Sequence, residues 1–389
     1  MLRVLTLSTL FPDASRPTLG PFVERQTLGL AAHPDVDLKL VSPRGLPPWP
    51  LSLHPRYGAL AGVAPHEDWK GLDCYRPRFL ALPGTGGGFA AKAMVRALAP
   101  LLARIRSDFA FDVIDAEFFF PDGPAAVELG RIFNVPVSIK ARGADIHFWG
   151  TQAATAAQVI HAGKTADGML AVSAALKDDM TALGMPAERI RIHYTGVDLS
   201  LFKPLDRAAT KAALGITGPL IVTLGALIAR KRQHLVIDAL AQLPGASLAL
   251  IGKGEDAEKL KAQAAALGIA DRLLMPGAMP HADIARWLAA ADVMCLPASS
   301  EGLANAWVEA LACGTPIVIT DVGGARELID RPEAGRLIEP DATIIATAIR
   351  AVLANPVDPQ KVRACAERFT WEANTAALYD HLSGLVSAR

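Results

Sequence analysis

Residues 295–320 read CLPASSEGLANAWVEALACGTPIVIT. Cys295, Leu296 and Pro297 close a buried strand, Ser299 and Ser300 are N-cap residue types, and 305–312 is a helical run stopped by Gly314 and Pro316. Residues 317–320 begin the next strand. Two carboxylates stand eight residues apart, Glu301 in the loop and Glu309 inside the helix. The helix N-terminus offers unpaired N–H groups and the positive end of the helix dipole, which suits an anion such as a diphosphate. Carboxylates beside such a site suit hydroxyls, so the pattern fits a diphosphate flanked by hydroxyl-rich groups, a nucleotide-sugar.

The string from Glu301-Gly302-Leu303 to Glu309-Ala310-Leu311-Ala312-Cys313-Gly314-Thr315-Pro316 resembles the E-x7-E signature of the retaining glycosyltransferases of family 4. The resemblance implies an α/β chain of the GT-B fold, with two Rossmann-like doubly wound domains facing an interdomain cleft. It implies that Glu301 contacts the donor sugar and that backbone N–H groups of Gly302, Leu303, Ala304 and Asn305 meet the diphosphate or sugar. Glu309 would hold the ribose hydroxyls.

At 389 residues the chain is long for one core and favours two domains. Apolar content of 51% with 20% charged residues is that of a globular protein, and zero formal charge gives no field for nucleic acid. Cys74, Cys295, Cys313 and Cys365 are scattered without C-x-x-C spacing, which argues against zinc and a disulfide framework and suits a reducing cytosol. The opening MLRVLTLSTLFPD reads as a buried strand rather than a signal peptide, and no apolar run is long enough to span a bilayer. The expected location is cytoplasmic, with any membrane contact peripheral at the inner face.

Strand patterns at 4–8, 36–41, 113–116, 137–140 and 169–172 alternate with helical ones at 22–32, 90–105, 125–133, 153–164 and 174–183. The alternation pauses at LSLFKPL, 199–205, and restarts with strands near 220–224, 247–251, 273–275, 293–296 and 317–320. The expected domains are 1–198 on the acceptor side, a linker at 199–205, and 206–370 for the nucleotide-sugar. The resemblance implies that the helical tail, 371–389, packs back onto the first domain.

Gly20, before the first helix, suits a loop that lets backbone approach a phosphate or sugar, as the resembling glycine does across the cleft; a simple turn glycine reads the same way. Between 44 and 106 stand nine Lys or Arg, Arg56 among them, against three acids, interleaved with Trp49, Trp69, Phe79 and Phe89. This suits an anionic membrane surface or a lipid-diphosphate acceptor, and equally a solvated loop and helix face. Asp115 and Glu117 stand where many relatives carry His, so a histidine contact does not transfer; Glu117 and Asp122 are the acceptor candidates. Arg142-Gly143-Ala144-Asp145 resembles H-G-x-D with Arg in place of His, implying a contact with the diphosphate or an acidic acceptor. A buried Arg142–Asp145 ion pair is the structural alternative.

In the second domain, Gly225-Ala226-Leu227-Ile228-Ala229-Arg230-Lys231 resembles the G-R-L-x-x-x-K phosphate clamp. Lys231 matches the lysine, Ala226 replaces the arginine, and Arg230, Arg232 or Arg142 is left to compensate. Gly252-Lys253-Gly254 and Gly323-Gly324 are further candidate phosphate-side turns, and the stretch containing Met279 a candidate base pocket. Gly163-Lys164-Thr165 lacks the first glycine of a P-loop, and Asp35-Val36-Asp37 begins a strand rather than forming a metal motif. The resemblance implies no metal and no cofactor beyond the donor.

The chain therefore reads as a retaining glycosyltransferase that moves a sugar from a nucleoside diphosphate to a hydroxyl of a glycan or lipid-linked acceptor in glycoconjugate or polysaccharide biosynthesis. Glu301, Lys231 and Arg142 are the catalytic candidates. A nucleotide-sugar epimerase and a non-catalytic sugar-binding scaffold are the alternatives. A nicotinamide oxidoreductase fails because no complete G-x-G-x-x-G follows the first strand.

Overall fold

The computed structural model describes residues 1–54, 57, 58, 60 and 62–389. Arg56, one of the nine cations, lies outside the described residues. The chain divides into one unit of Met1–Gly196 with Trp371–Arg389 and another of Val197–Thr370.

The first unit contains β1 (Leu2–Leu7), β2 (Val36–Val41), β3 (Arg44–Leu46), β4 (His66–Trp69), β5 (Leu72–Tyr75), β6 (Arg78–Leu80), β7 (Val113–Ala116), β8 (Val137–Ala141), β9 (Gly168–Ala171) and β10 (Ile190–Ile192). Eight of these form a sheet in the order β10-β9-β8-β7-β1-β2-β5-β4, parallel except for β4 against β5, while β3 and β6 make a separate parallel ribbon. Helices Pro21–Ala31, Ala90–Asp108, Asp122–Phe133, Ala156–Thr165 and Ala174–Ala182 alternate with the strands. Runs such as Val113-Ile114-Asp115-Ala116 are buried along their whole length, as strands covered on both faces must be.

Val4, Leu38 and Leu40 pack with Val23 and Leu30 and with Leu378 and Leu382 of the helix Trp371–Ser387. Each such Leu contributes about 1.5–3 kcal/mol on burial, enough to seat the terminal helix on this unit. His193 Nε2 also reaches the Asn374 carbonyl at 2.8 Å, and Asn374 Nδ2 donates to the Tyr194 carbonyl at 2.6 Å.

The second unit is a six-stranded, wholly parallel sheet of β11 (Leu220–Leu224), β12 (Ser247–Ile251), β13 (Leu273–Gly277), β14 (Val293–Leu296), β15 (Ile317–Thr320) and β16 (Gly335–Ile338). Its order is β13-β12-β11-β14-β15-β16. The winding reverses between β11 and β14, and ligands of such sheets gather beyond the strand carboxyl ends at that reversal. In the first unit the reversal lies between β1 and β7.

The expected linker at 199–205 proves to be part of the second unit, and the division falls at Gly196 rather than 198. The physical reason is Arg363. Its guanidinium donates to the carbonyls of Leu199, Phe202 and Ala312 at 2.7–2.9 Å, and Phe202 is buried. Short strands β3, β6, β10 and β16 have no apolar run long enough to announce them. No helix among the described residues is long and apolar enough to cross a membrane.

Candidate functional site

At the reversal point of the second unit, β11 leads into the segment carrying Lys231 and β14 into the loop carrying Glu301. The two segments are laced together. Ser299 N donates to the Arg230 carbonyl at 2.8 Å, Arg230 Nη1 donates to the Ser300 carbonyl, and Lys231 Nζ donates to Glu301 Oε1. Arg230 Nη1 lies 3.2 Å from the same Glu301 oxygen. Glu301 keeps 9% of its side-chain surface and Lys231 12%, so the pair is largely withdrawn from water and screened little.

Sequence placed an Arg-sized gap at Ala226, and the structure shows what stands near. Ala226 is exposed, with its carbonyl accepting from Gln233 Nε2 at 2.8 Å. Arg230 is the neighbouring arginine that reaches Glu301, whereas Arg232 heads the helix Gln233–Ala241 in a left-handed conformation, φ +52°. Gly225 carries φ +144°, and a side chain there would lie 3.6 Å from Lys231 Cε.

The helix Asn305–Ala312 follows, with Ala304 at its N-cap position and no side chain capping it. Ser299 and Ser300 are therefore not the caps their residue type suggested. They lie upstream, Ser299 Oγ bonding the Arg230 carbonyl at 3.2 Å. An uncapped start leaves leading N–H groups to be satisfied from outside the helix. Gly302, Leu303 and Ala304 are buried and Asn305 half-buried at this end.

Glu309 sits one turn along, 13% exposed, and burial pushes its carboxyl up to about 7. His281 Nε2 lies 3.8 Å from Glu309 Oε1, at the start of the helix His281–Ala290, with its ring edge-on to Phe202. Sequence reasoning missed His281: the contact joins two separate helices, and no spacing rule connects them. Met279 is half-buried in the turn just before that helix.

The glycines expected to face phosphate have packing duties. A side chain on Gly252 would meet the Gly225 carbonyl at 2.0 Å, and one on Gly254 the Leu227 carbonyl at 2.1 Å. A side chain on Gly323 would strike the Glu301 carbonyl at 2.2 Å, while Gly324 N donates to the Gly302 carbonyl at 2.7 Å. The first loop packs against the segment 225–227, and the second supports the Glu301 segment. Cys295 and Cys313, both free and buried, have thiols pushed upward by burial and are no nucleophiles.

The first unit has its own polar centre at the carboxyl ends of β7 and β8. Arg142 does not pair with Asp145 through its side chain. Its Nη2 donates to Glu117 Oε2 and its Nε to the Glu117 carbonyl at 2.8 Å, and the guanidinium lies 4.8 Å from the Phe22 ring. Asp145 instead accepts from the backbone N–H groups of Phe119, Arg142 and Gly143. It is a loop organiser.

Gln26 Nε2 fills the other Glu117 oxygen, and Lys140 Nζ lies 2.5 Å from Gln26 Oε1 and 2.6 Å from His193 Nδ1. Burial drives Lys140 and His193 well below their ordinary values. Glu117, 1% exposed and with each oxygen already bonded, is withdrawn from an acceptor hydroxyl as placed. Asp122 is buried too; Oδ2 accepts from Thr9 N at 2.9 Å and burial pushes the carboxyl up to about 7. Lys140 and Gln26 were not singled out in the sequence. A lysine inside the buried run VSIKA was the available signal.

Gly20 heads the helix Pro21–Ala31 at φ +60°, and a side chain there would lie 2.1 Å from the Leu10 carbonyl. Close packing alone accounts for the glycine. Asp13 organises the same loop, bonding Ser15 N and Arg16 N at 2.9 Å and the buried Arg44 at 2.9 Å. Gly163 lies inside a helix against Met185, which removes any phosphate role.

Residues 206–369 match the family described as "Glycosyl transferases group 1" and residues 63–201 that described as "Glycosyltransferase Family 4". A D-inositol 3-phosphate glycosyltransferase of Catenulispora acidiphila is 34% identical over 216 residues, 51% of this chain and 52% of that one. A GDP-mannose-dependent phosphatidylinositol monomannoside mannosyltransferase of Mycolicibacterium smegmatis is 30% identical over 250 residues, 58% of this chain and 65% of that one. The chain spans about half the length of the first of these curated relatives. Among solved structures, Anabaena HepE in complex with UDP-glucose superposes with a TM-score of 0.74 at 20% identity, over 99% of this chain and 100% of that one.

Proposed function

The chain belongs to glycosyltransferase family 4 and has the GT-B fold, and on that premise we propose that it transfers a sugar, with retention, from a nucleoside diphosphate to an acceptor hydroxyl. The observation that carries this reading is Glu301, fixed by Lys231 and Arg230 beside the uncapped start of the helix Asn305–Ala312, with Glu309 buried one turn along. A diphosphate at that helix start would accept from the N–H groups of Gly302, Leu303, Ala304 and Asn305, and would compete with Glu301 for Lys231 and Arg230. Glu301 then turns to the sugar hydroxyls, and Glu309 to the ribose.

In the reaction the acceptor oxygen bonds the anomeric carbon from the side on which the diphosphate departs. The bond between that carbon and the phosphate oxygen breaks, and the acceptor proton passes to the departing oxygen. Positioning and charge stabilisation by Lys231 carry the step, with no resident metal or cofactor assigned. Glu117 is a positioning residue for Arg142 in this reading, rather than an acceptor contact. Gly20, Ala226 and Met279 contribute backbone shape.

Nucleotide-sugars and a phosphatidylinositol acceptor are in the names of the proteins compared above. The reading further places the enzyme in glycoconjugate synthesis at the cytoplasmic face of a membrane. A thermal-shift screen of UDP, GDP and ADP, and of their sugars, tests it. One diphosphate should raise the melting temperature in proportion to its affinity, and Glu309→Gln should weaken that rise. No shift with any of them would overturn the proposal.

A further inference from the structure

The large exposed apolar side chains are unevenly spread: Trp49, Leu51, Leu53, Leu80, Leu82 and Phe89 all fall within one stretch of the first unit. Trp49 is 77% exposed, Leu53 70% and Phe89 61%, which is more apolar surface than single scattered residues give. Pairing of β3 with β6, and packing of the helix Ala90–Asp108 against β6, bring the segments that carry them together. β3 pairs with β6, so the chain leaving β3 toward Trp49 starts beside the strand bearing Leu80. On β6 the alternation buries Phe79 and turns Arg78 and Leu80 outward. Phe89 immediately precedes the helix Ala90–Asp108.

That helix continues the surface with charge. Its core face is Ala91, Met94, Leu98, Leu102 and Ile105, and Lys92, Arg96 and Arg104 are exposed along the opposite stripe at helical spacing. No acid occurs on the helix before Asp108, and none of the three cations is ion-paired among the described residues. The chain as a whole has zero formal charge, so this cationic stripe is a local feature.

We propose that this face, exposed aromatic and aliphatic side chains bordered by Lys92, Arg96 and Arg104, docks the protein on an anionic phospholipid surface. The apolar groups enter the headgroup boundary, where Trp and Phe are favoured, and the cations meet lipid phosphates. A protein partner would not require a uniformly cationic border. The proposal is independent of the donor site and survives if that site proves to bind another ligand.

Flotation of the full chain with vesicles of phosphatidylcholine, alone or mixed with phosphatidylglycerol, tests it. The protein should float with the anionic vesicles and be released by high salt. Lys92→Gln with Arg96→Gln should weaken partitioning on the order of thirtyfold, taking about a fivefold loss for each cation removed from an anionic surface. Trp49→Ser with Leu53→Ser should abolish what remains. These side chains are exposed, so melting temperatures should match the parent protein and nucleotide-induced stabilisation should persist. Failure to float with anionic vesicles at low salt overturns the proposal. So does sedimentation at twice 41.1 kDa that the Trp49→Ser, Leu53→Ser variant abolishes, because the face is then a contact between two copies.

Discussion

Lys231→Ala is the perturbation whose size follows most directly from the geometry. The Lys231 ammonium is bonded to Glu301, with Arg230 at 3.2 Å from the same carboxylate. Removing Lys231 therefore leaves Glu301 partnered, and the fold should be retained within a few degrees of melting temperature. In the proposed reaction the ammonium faces charge that grows on the departing diphosphate. Two unit charges about 4 Å apart interact by about 4 kcal/mol at an effective dielectric near 20. Arg230 supplies part of that field, so about 3–4 kcal/mol is the expected loss. That corresponds to a kcat lowered on the order of two to three powers of ten.

Donor affinity should fall by less, since the ground-state diphosphate also meets the helix N-terminus. Steady-state release of the nucleoside diphosphate, with calorimetric titration of the same nucleotide, separates the two effects. A change confined to KM with kcat intact would show that Lys231 binds donor and transition state equally, and would refute the leaving-group role.

Measured at a pH well above the value of about 7 to which burial raises Glu309, Glu309→Gln loses a full charge, so nucleoside diphosphate affinity should fall about five- to tenfold, the difference between charged and neutral hydrogen bonds; unchanged affinity would remove Glu309 from the ribose. Asp122 titrates near 7 in the folded protein against 3.8 ordinarily, so the native state holds the extra proton between those values and stability declines as pH rises through that window. Asp122→Asn keeps the acceptor for Thr9 N and should flatten that part of the melting-temperature profile; an unchanged profile would contradict the burial argument. Gly20→Ala should cost at least about 1–2 kcal/mol from its left-handed backbone alone, with more from the clash at Leu10, read as a lower urea midpoint.

Legibility in the sequence followed locality. The Glu301 and Glu309 segment could be read because strand, loop and helix lie within one short stretch, and central strands such as 220–224, 293–296 and 317–320 because each is a nearly continuous apolar run. The partners of those residues could not. A pairing of Arg142 with Asp145, near it in sequence, was the structural alternative, yet its guanidinium reaches Glu117, just past the end of the adjacent strand. His281 meets Glu309 only because two helices are brought side by side. Ser299 and Ser300 misled because cap preference says nothing about a loop drawn upstream by Arg230. The expected linker contained buried Phe202, and the guanidinium that holds it comes from Arg363, far along the chain. Lys140 was visible as a charge in a buried strand, but its partners Gln26 and His193 come from other elements.

The central claim is that a diphosphate sits on the start of the helix Asn305–Ala312 with the nucleoside reaching Glu309. Amide NMR of the isotopically labelled full chain, titrated with the best-stabilising nucleoside diphosphate, tests it most directly. The account predicts that the amides of Gly302, Leu303 and Asn305 shift in step with saturation and that the Glu309 carboxyl resonance moves with them. Saturable binding that leaves those amides unmoved, with shifts confined to other loops, would contradict it.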